Sequence, residues 1–208
     1  MKIAVIADEK IKEELLAQGL VAGVQVEWLS TPLPVAGVEG YIDLLFRPDP
    51  DHIKKLNALP PSLLVVNSVV QTLGELPGIP VRINGWPGFL KRSLVEASCT
   101  DEDVKKRTAK IFSALNKTIE WVPDIPGFIS ARVISMIINE AYFTLEEKVS
   151  SKEEIDTAMK LGTNYPLGPF AWSEQIGLKQ VHELLAALSG KNARYLPARL
   201  LQKEASVL

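Results

Sequence analysis

The chain has 208 residues, of which 47% are hydrophobic and 23% are charged, and its formal net charge is −2. This composition is typical of a globular protein with one domain or two small ones, and it provides no basic surface for nucleic acid or an anionic membrane. A single cysteine excludes an internal disulfide framework, and two histidines are too few for a zinc cluster, so we expect no structural metal. We expect a cytoplasmic location, because no apolar run approaches the ~18 residues of a membrane span and the amino terminus lacks a signal-peptide core.

Short apolar runs rich in β-branched residues follow one another through the first half of the chain. They cover residues 3–7, 24–29, 41–46, 63–67, 80–83 and 93–98, and a helical pattern from Glu9 to Gly19 follows the first run. This succession predicts an α/β domain with a mostly parallel sheet that is covered on both faces. Since each crossover unit takes roughly 30 residues, we expect some crossovers to be replaced by loops or hairpins.

The second half has a helical period instead. Helical segments are predicted to begin at Thr100, Pro126, Ser151 and Leu178, and a short strand over residues 118–122 follows the first of them. The segment from Pro126 is apolar around much of its circumference, which is more than one neighbouring helix covers. We therefore predict an α/β domain over residues 1–100 and an all-α domain over residues 101–208.

Three motifs in the helical half occur together and in order. They are Pro126–Arg132 with Ile138–Ala141, then Ser151–Gly162, then Tyr165–Phe170. Together they resemble the carboxy-terminal domain of 3-hydroxyacyl-CoA dehydrogenases, and the similarity continues through residues 176–178 and 194–201. The resemblance implies a helical domain of the 6-phosphogluconate dehydrogenase carboxy-terminal-like type, preceded by a Rossmann-like domain that is truncated here. It also implies a role in fatty-acid metabolism and a homodimer formed through the carboxy-terminal helices, which the wide apolar face of the long helix favours as well.

The resemblance implies NAD as the cofactor, bound by a glycine-rich turn after the first strand. Glycines at that turn let backbone amides and a helix amino terminus approach the diphosphate. Here the first strand leads into Asp8 and Glu9, and no glycine precedes Gly19. We interpret Asp8 and Glu9 as helix-capping and first-turn residues, and we expect the usual NAD-binding turn to be lost.

The resemblance also implies a catalytic histidine held by a glutamate about twelve residues further on. The segment from Ile83 to Glu96 resembles the one that carries this pair, with Glu96 at the glutamate position and Asn84 at the histidine position. An amide does not titrate near neutral pH, so Asn84 cannot act as a general base, although its NH₂ group could orient a carbonyl. Trp86 lies on the same segment, which would line the cleft between the domains of the family.

Two further positions of the resemblance concern groups that hold the substrate oxygen. Val69 falls at the position of the family's serine, and Ser68 is one residue away from it. The family's helix asparagine corresponds to Ala131. Of the four functional positions, Glu96 alone keeps the family's residue.

The remaining reactive side chains form no alternative catalytic group in the sequence. His52 follows a Pro/Asp-rich helix start and is interpreted as a solvated first-turn residue. His182 is expected to be exposed or interfacial, and Cys99 is expected to be a buried, inert thiol.

Three hypotheses for the function follow. The first is a divergent 3-hydroxyacyl-CoA dehydrogenase-like protein, a candidate pseudoenzyme, that has lost efficient NAD-dependent chemistry and binds an acyl-CoA-like small molecule. The second is an active oxidoreductase with an unconventional cofactor site and Glu96 as its base. The third is a purely structural or regulatory partner that forms hetero-oligomers with a complete dehydrogenase through its carboxy-terminal helices. Similarity of fold does not decide among them, since function depends on the site.

Overall fold

The computed structural model describes residues 1–207 and separates into two compact units, Met1–Phe128 and a second unit that begins at Ile129. The division differs from the boundary predicted at residue 100. Residues 102–121 add a helix and a strand to the sheet of the first unit, so the chain leaves that sheet later than the change of period indicates.

The first unit is an α/β domain built on a seven-stranded sheet. Its strands are β1 (Lys2–Ile6), β2 (Gln25–Leu29), β3 (Gly40–Asp43), β4 (Leu63–Asn67), β5 (Val81–Ile83), β6 (Leu94–Ser98) and β7 (Thr118–Trp121), and its helices are α1 (Glu9–Leu15), α2 (Pro50–Asn57) and α3 (Glu102–Ala114). The strand order is β2-β1-β3-β4-β5-β6-β7, and each neighbouring pair is parallel except β5 with β6. The expected mostly parallel sheet is therefore confirmed.

Several connections in this sheet are shorter than full crossovers, as the chain length predicts. Residues 30–39 connect β2 to β3 without a helix, and residues 84–93 join the antiparallel pair β5 and β6. Between β4 and β5 the helical content is a single 3₁₀ turn, Leu73–Glu75. Loops thus replace the missing helices.

The helices pack on both faces of the sheet. On one face Leu15 of α1 and Phe112 of α3 share an apolar core with β1 and β3, whereas Leu56 of α2 joins the core on the opposite face. Because β1 connects to β2 in one direction and β3 connects to β4 in the other, β1 and β3 form the switch point of the sheet. Ligands of open α/β sheets bind in the crevice beyond the carboxyl ends of two such strands.

The second unit is entirely helical within the described residues. It contains α4 (Ser130–Glu146), α5 (Lys152–Thr163), α6 (Pro169–Ile176), α7 (Leu178–Ser189) and α8 (Arg199–Ala205). The long helix begins at Ser130 rather than at Pro126, because Gly127 and Phe128 both have positive φ values, +88° and +49°. None of the helices in residues 1–207 combines the length and apolar character that crossing a membrane requires.

Candidate functional site at the carboxyl edge of the sheet

Asn84 and Glu96 form a buried hydrogen-bonded pair at the end of β5. The antiparallel pairing of β5 with β6 places Asn84 opposite Glu96, and the Asn84 backbone N–H donates to the Glu96 carbonyl at 2.9 Å. The side-chain Nδ2 of Asn84 donates to Oε2 of Glu96, also at 2.9 Å. An amide and a carboxylate therefore occupy the two positions that resemble the family's histidine and glutamate.

The loop that begins at Asn84 is fixed by side chains from other elements. Glu14 of α1 accepts from the Gly88 amide at 2.7 Å, and Gln18 donates to the Lys91 carbonyl at 2.9 Å. Lys117 is almost completely buried and donates to the Leu90 and Arg92 carbonyls; burial lowers the pKa of its ammonium group. These contacts fix the backbone of the loop that begins at Asn84.

Asn67 at the end of β4 extends the sheet by one side-chain pairing. Its Oδ1 accepts from the Gly85 amide at 2.9 Å, and its Nδ2 donates to the Gly85 carbonyl at 3.1 Å. A side chain at position 85 would place its Cβ 2.9 Å from the Asn67 Cγ, so glycine is required by this contact. Trp86 follows directly and is buried edge-on against Phe89.

The other sequence-predicted site residues lie elsewhere. Ser68 is buried at the end of β4, and its hydroxyl donates to the backbone carbonyl of Gln71 at 3.1 Å, so it closes a turn. Val69 beside it is buried as well. Ala131 is fully buried in α4 and belongs to the second unit. The first unit thus brings Asn84 and Trp86, on the loop after β5, together with Glu96 on β6, and it places Ser68 directly after β4.

The turn after β1 has none of the features of a diphosphate-binding turn. Asp8 is the N-cap of α1, and its Oδ1 accepts from the Ile11 amide at 2.8 Å. The amide that would face a phosphate is therefore already bonded to a carboxylate, and Glu9 adds a second negative charge. The residues of this turn do not fit the diphosphate of NAD.

His52 differs from its predicted environment. It was expected to be solvated in the first turn of a helix, but it is only 7% exposed and its Nε2 lies 2.5 Å from Oδ2 of the fully buried Asp43. Asp43 ends β3 at the switch point, and α2 is turned so that His52 packs edge-on against Phe46. Burial raises the pKa of the Asp43 carboxyl, although its hydrogen bond with His52 opposes the shift. The nine-residue separation of an aspartate ending an apolar strand and a histidine starting a helix was the available signal for this pair.

The motifs that carry the resemblance in the second unit make structural contacts. Asp156 of α5 accepts from the Phe170 and Ala171 amides at the start of α6. A Cβ at position 168 would lie 2.5 Å from the Asp156 Cα, which explains the glycine before Pro169.

The same holds for the end of the chain. Asn139 of α4 donates to the Leu196 carbonyl at 2.9 Å and accepts from the Ala198 amide at 2.8 Å. Glu204 of α8 accepts from the Tyr142 hydroxyl and from the Lys152 ammonium group. Burial and the carboxylate raise the pKa of the Tyr142 hydroxyl. These contacts fasten the terminal segment to α4 and α5.

Residues 127–206 match the family model described as 3-hydroxyacyl-CoA dehydrogenase, C-terminal domain. A probable 3-hydroxybutyryl-CoA dehydrogenase of Bacillus subtilis is 37% identical over 155 residues, which cover 69% of this chain and 54% of the relative. A 3-hydroxyadipyl-CoA dehydrogenase of Escherichia coli K12 is 36% identical over 115 residues, which cover 54% of this chain and 24% of the relative. The matches thus span about a quarter to a half of these relatives' own length.

Among solved structures, (S)-3-hydroxybutyryl-CoA dehydrogenase from Ralstonia eutropha superposes with a TM-score of 0.76 over 99% of this chain and 93% of that one. The two sequences are 18% identical, so this similarity concerns the fold, which has the same Rossmann-like and helical domains. The family model and the sequence matches, in contrast, also show similarity in sequence. Residues 127–206 therefore form a carboxy-terminal domain of the 3-hydroxyacyl-CoA dehydrogenase family, and the chain as a whole is similar to members of that family.

Proposed function

We propose that this chain is a 3-hydroxyacyl-CoA dehydrogenase-like protein whose NAD-dependent oxidoreductase activity is lost or strongly impaired and which still binds an acyl-CoA or a related small molecule. The observation that carries the proposal is the hydrogen bond between Asn84 and Glu96 at the position of the family's histidine and glutamate. A cytoplasmic role in fatty-acid metabolism is part of the same proposal.

The chemical consequence follows from the amide. Asn84 can donate hydrogen bonds, but it cannot take a proton near neutral pH, and a positioned general base contributes a factor of ~10²–10⁴ to a rate. The backbone of the loop is nevertheless fixed by Asn67, Glu14 and Lys117. A shaped surface for a ligand is thus compatible with the loss of the base.

The turn after β1 supports the same conclusion independently. NAD is the cofactor of the family, and it supplies the hydride acceptor when it is bound. Because Asp8 caps α1 and occupies the Ile11 amide, the chain has no cradle for the diphosphate there.

An active oxidoreductase that uses Glu96 as its base is the second candidate. It is favoured by one observation: Glu96 on β6 has a buried carboxylate that the Asn84 amide orients. In this case the cofactor would have to bind in a manner that does not use the turn at Asp8.

We also propose that the protein is a homodimer formed through its carboxy-terminal helices. The first turns of α4 and the residue before it expose Ile129 and Val133, each with slightly more than half of its surface in contact with solvent. Beside this stripe, a cavity of about 390 Å³ between α4 and α5 is lined mostly by apolar side chains, including Ile137 and Met159. A second copy would bury this surface, and sedimentation of Val133→Glu beside the wild type tests it: the variant should be monomeric, whereas a monomeric wild type contradicts the proposal.

Two titrations test the proposed function. Acetoacetyl-CoA should bind the wild type in equilibrium dialysis, whereas NADH should show no binding by fluorescence at millimolar concentration. Binding of NADH would favour the active oxidoreductase, and failure of acetoacetyl-CoA to bind would contradict the retained ligand site.

A double substitution, Asn84→His with Ala131→Asn, then restores two of the family's residues. We expect this variant to remain inactive, because the turn at Asp8 still lacks the glycines. Full recovery of NADH oxidation would show that these two residues, and not the turn at Asp8, are the reason for the lost activity.

A further inference from the structure

The His52–Asp43 pair has the geometry of an oriented imidazole. Asp43 is inaccessible to solvent, its Oδ1 accepts from the Leu45 amide at 3.0 Å, and its Oδ2 is bonded to His52 Nε2. A buried carboxylate that holds one ring nitrogen fixes the tautomer and supports a positive charge on the ring.

The other ring nitrogen is available. Within the described part of the chain, His52 Nδ1 has no hydrogen-bond partner, and it is not among the atoms sealed from solvent. When Nε2 donates to Asp43, Nδ1 is left with a lone pair that can accept a proton. The pair therefore has an inner carboxylate and an outer proton acceptor.

The pair also lies where an open α/β sheet binds ligands. Asp43 is the last residue of β3 and is paired with Ile6, the last residue of β1, so it marks the switch point between these strands. Within residues 1–207, His52 is the one histidine that is paired with a carboxylate. The charged groups near the His52 ring are Asp43, which is bonded to it, and Arg47 and Asp49 on the connection to α2.

Proton transfer is the chemistry that this group can perform by itself. An imidazole can take up and return a proton without any further reactant. In an acyl thioester with a 3-keto group, the C2 proton lies between two carbonyl groups and is the most acidic C–H bond of the acyl chain. An enolisable thioester is thus the member of the proposed ligand class on which His52 can act.

We propose that His52, oriented by Asp43, is the acid–base group of a site for enolisable 3-ketoacyl thioesters at the switch point between β1 and β3. In the step, the C2–H bond breaks, the proton goes to Nδ1 of His52, and the electron pair is delocalised onto the C3 and thioester carbonyl oxygens. The resulting imidazolium is stabilised by Asp43, and return of the proton regenerates the keto form. The inference rests on the acyl-CoA binding proposed above.

The near-ultraviolet absorbance of the enolate of acetoacetyl-CoA tests this inference. At about neutral pH the wild type should raise the bound enolate fraction above that in solution, and His52→Gln should reduce this band roughly tenfold or more, as expected for loss of a hydrogen bond between charged groups. Asp43→Asn should reduce it less, since the imidazole remains without its carboxylate. His182→Gln, which changes the other histidine, on α7, is the matched control and should keep the wild-type band.

A second measurement does not depend on folding of the His52 variant. In His182→Gln, His52 is the single histidine of the chain, so its imidazole NMR signals are assigned without ambiguity. Adding acetoacetyl-CoA should shift them, and unshifted signals at saturating ligand would overturn the inference.

The outcomes separate the two proposals. If acetoacetyl-CoA binds in equilibrium dialysis but His52→Gln keeps the full enolate band, or the wild type shows no band, the acid–base role is wrong and the proposed function stands. If acetoacetyl-CoA does not bind at all, both proposals fail.

Discussion

The two units of this protein differ in what their similarity to the family concerns. In the second unit, the motifs that carry the sequence similarity are occupied by structural contacts, such as those of Asp156 with the start of α6 and of Asn139 with the segment before α8. In the first unit, the mostly parallel sheet is present, and we propose that Asn84, which donates to Glu96, replaces a titrating residue. Sequence similarity in this chain therefore reports inherited packing, and the chemistry has to be examined residue by residue.

The largest predicted effect concerns the packing that the first unit retains. Arg82 of β5 is completely buried, binds Asp124, and donates to the Ser68 and Ile125 carbonyls, with the Phe128 ring 4.2 Å from its guanidinium. Arg82→Met should lower the free energy of unfolding by about 3–5 kcal/mol, because it leaves buried acceptors and a partly buried carboxylate unpaired.

Chemical denaturation measures this loss. Arg107→Met on the exposed face of α3 is the matched control and should change the free energy by no more than ~0.5 kcal/mol. Equal effects of the two substitutions would mean that the first unit does not depend on this buried cluster.

A smaller effect is expected in the second unit at Gly168, where the motif of residues 165–170 packs against Asp156 of the motif of residues 151–162. Gly168→Ala should destabilise the protein by about 1–3 kcal/mol, because the new Cβ would meet the Asp156 backbone. Gly162→Ala, near the end of α5, meets no atom within 4 Å and should be neutral or slightly stabilising. If thermal unfolding shows no difference between the two variants, the second unit is not held by its motifs in the way described.

The cap of α1 has a smaller contribution still. Asp8→Ala removes the hydrogen bond to the Ile11 amide and should cost about 1 kcal/mol of unfolding free energy. NADH should still not bind, since the turn lacks glycine. An Asp8→Ala variant that binds NADH would show that a single carboxylate, and not the shape of the turn, separates this unit from a dinucleotide-binding one.

The smallest expected effect is a pH dependence from Asp43. Burial raises the pKa of this carboxyl above its ordinary value of 3.8, so the folded state holds the proton more tightly than the unfolded state. The stability that Asp43 contributes is fully present below that ordinary value and is lost as the pH rises through the raised folded pKa.

Asp43→Asn should remove this term while keeping an acceptor for His52. The free energy of unfolding of the wild type, measured relative to Asp43→Asn, should therefore fall as the pH rises above about 4, the ordinary pKa of an aspartate. If the difference in unfolding free energy between wild type and Asp43→Asn is constant or increases with pH, the pKa of the Asp43 carboxyl is not raised in the folded state.

The sequence was sufficient for the elements whose cause is local. β4 was predicted with its observed bounds, Leu63–Asn67, and the capping box of Ser151 and Glu154 starts α5 as expected. The domain boundary at residue 100 was misplaced because a change from strand-like to helical period does not show that α3 and β7 return to the sheet. The family resemblance alone implies that positions 84 and 96 meet, and in the structure Asn84 donates to Glu96.

The environment of His52 was not predictable from local pattern. A histidine in the first turns of a helix after proline and aspartate is typical of a solvated residue, and its burial depends on how α2 packs over the end of β3. The partner, Asp43, ends an apolar strand, where a carboxylate is usually placed at the surface. Contacts of this kind arise from tertiary packing.

Steady-state oxidation of NADH with acetoacetyl-CoA by the wild-type protein tests the central claim most directly. We expect turnover that is indistinguishable from the background reaction, together with measurable binding of acetoacetyl-CoA under the same conditions. NADH oxidation at ordinary enzyme rates, on the order of 1–10³ s⁻¹, would contradict this expectation. It would show that neither Asn84 nor the turn at Asp8 prevents the reaction.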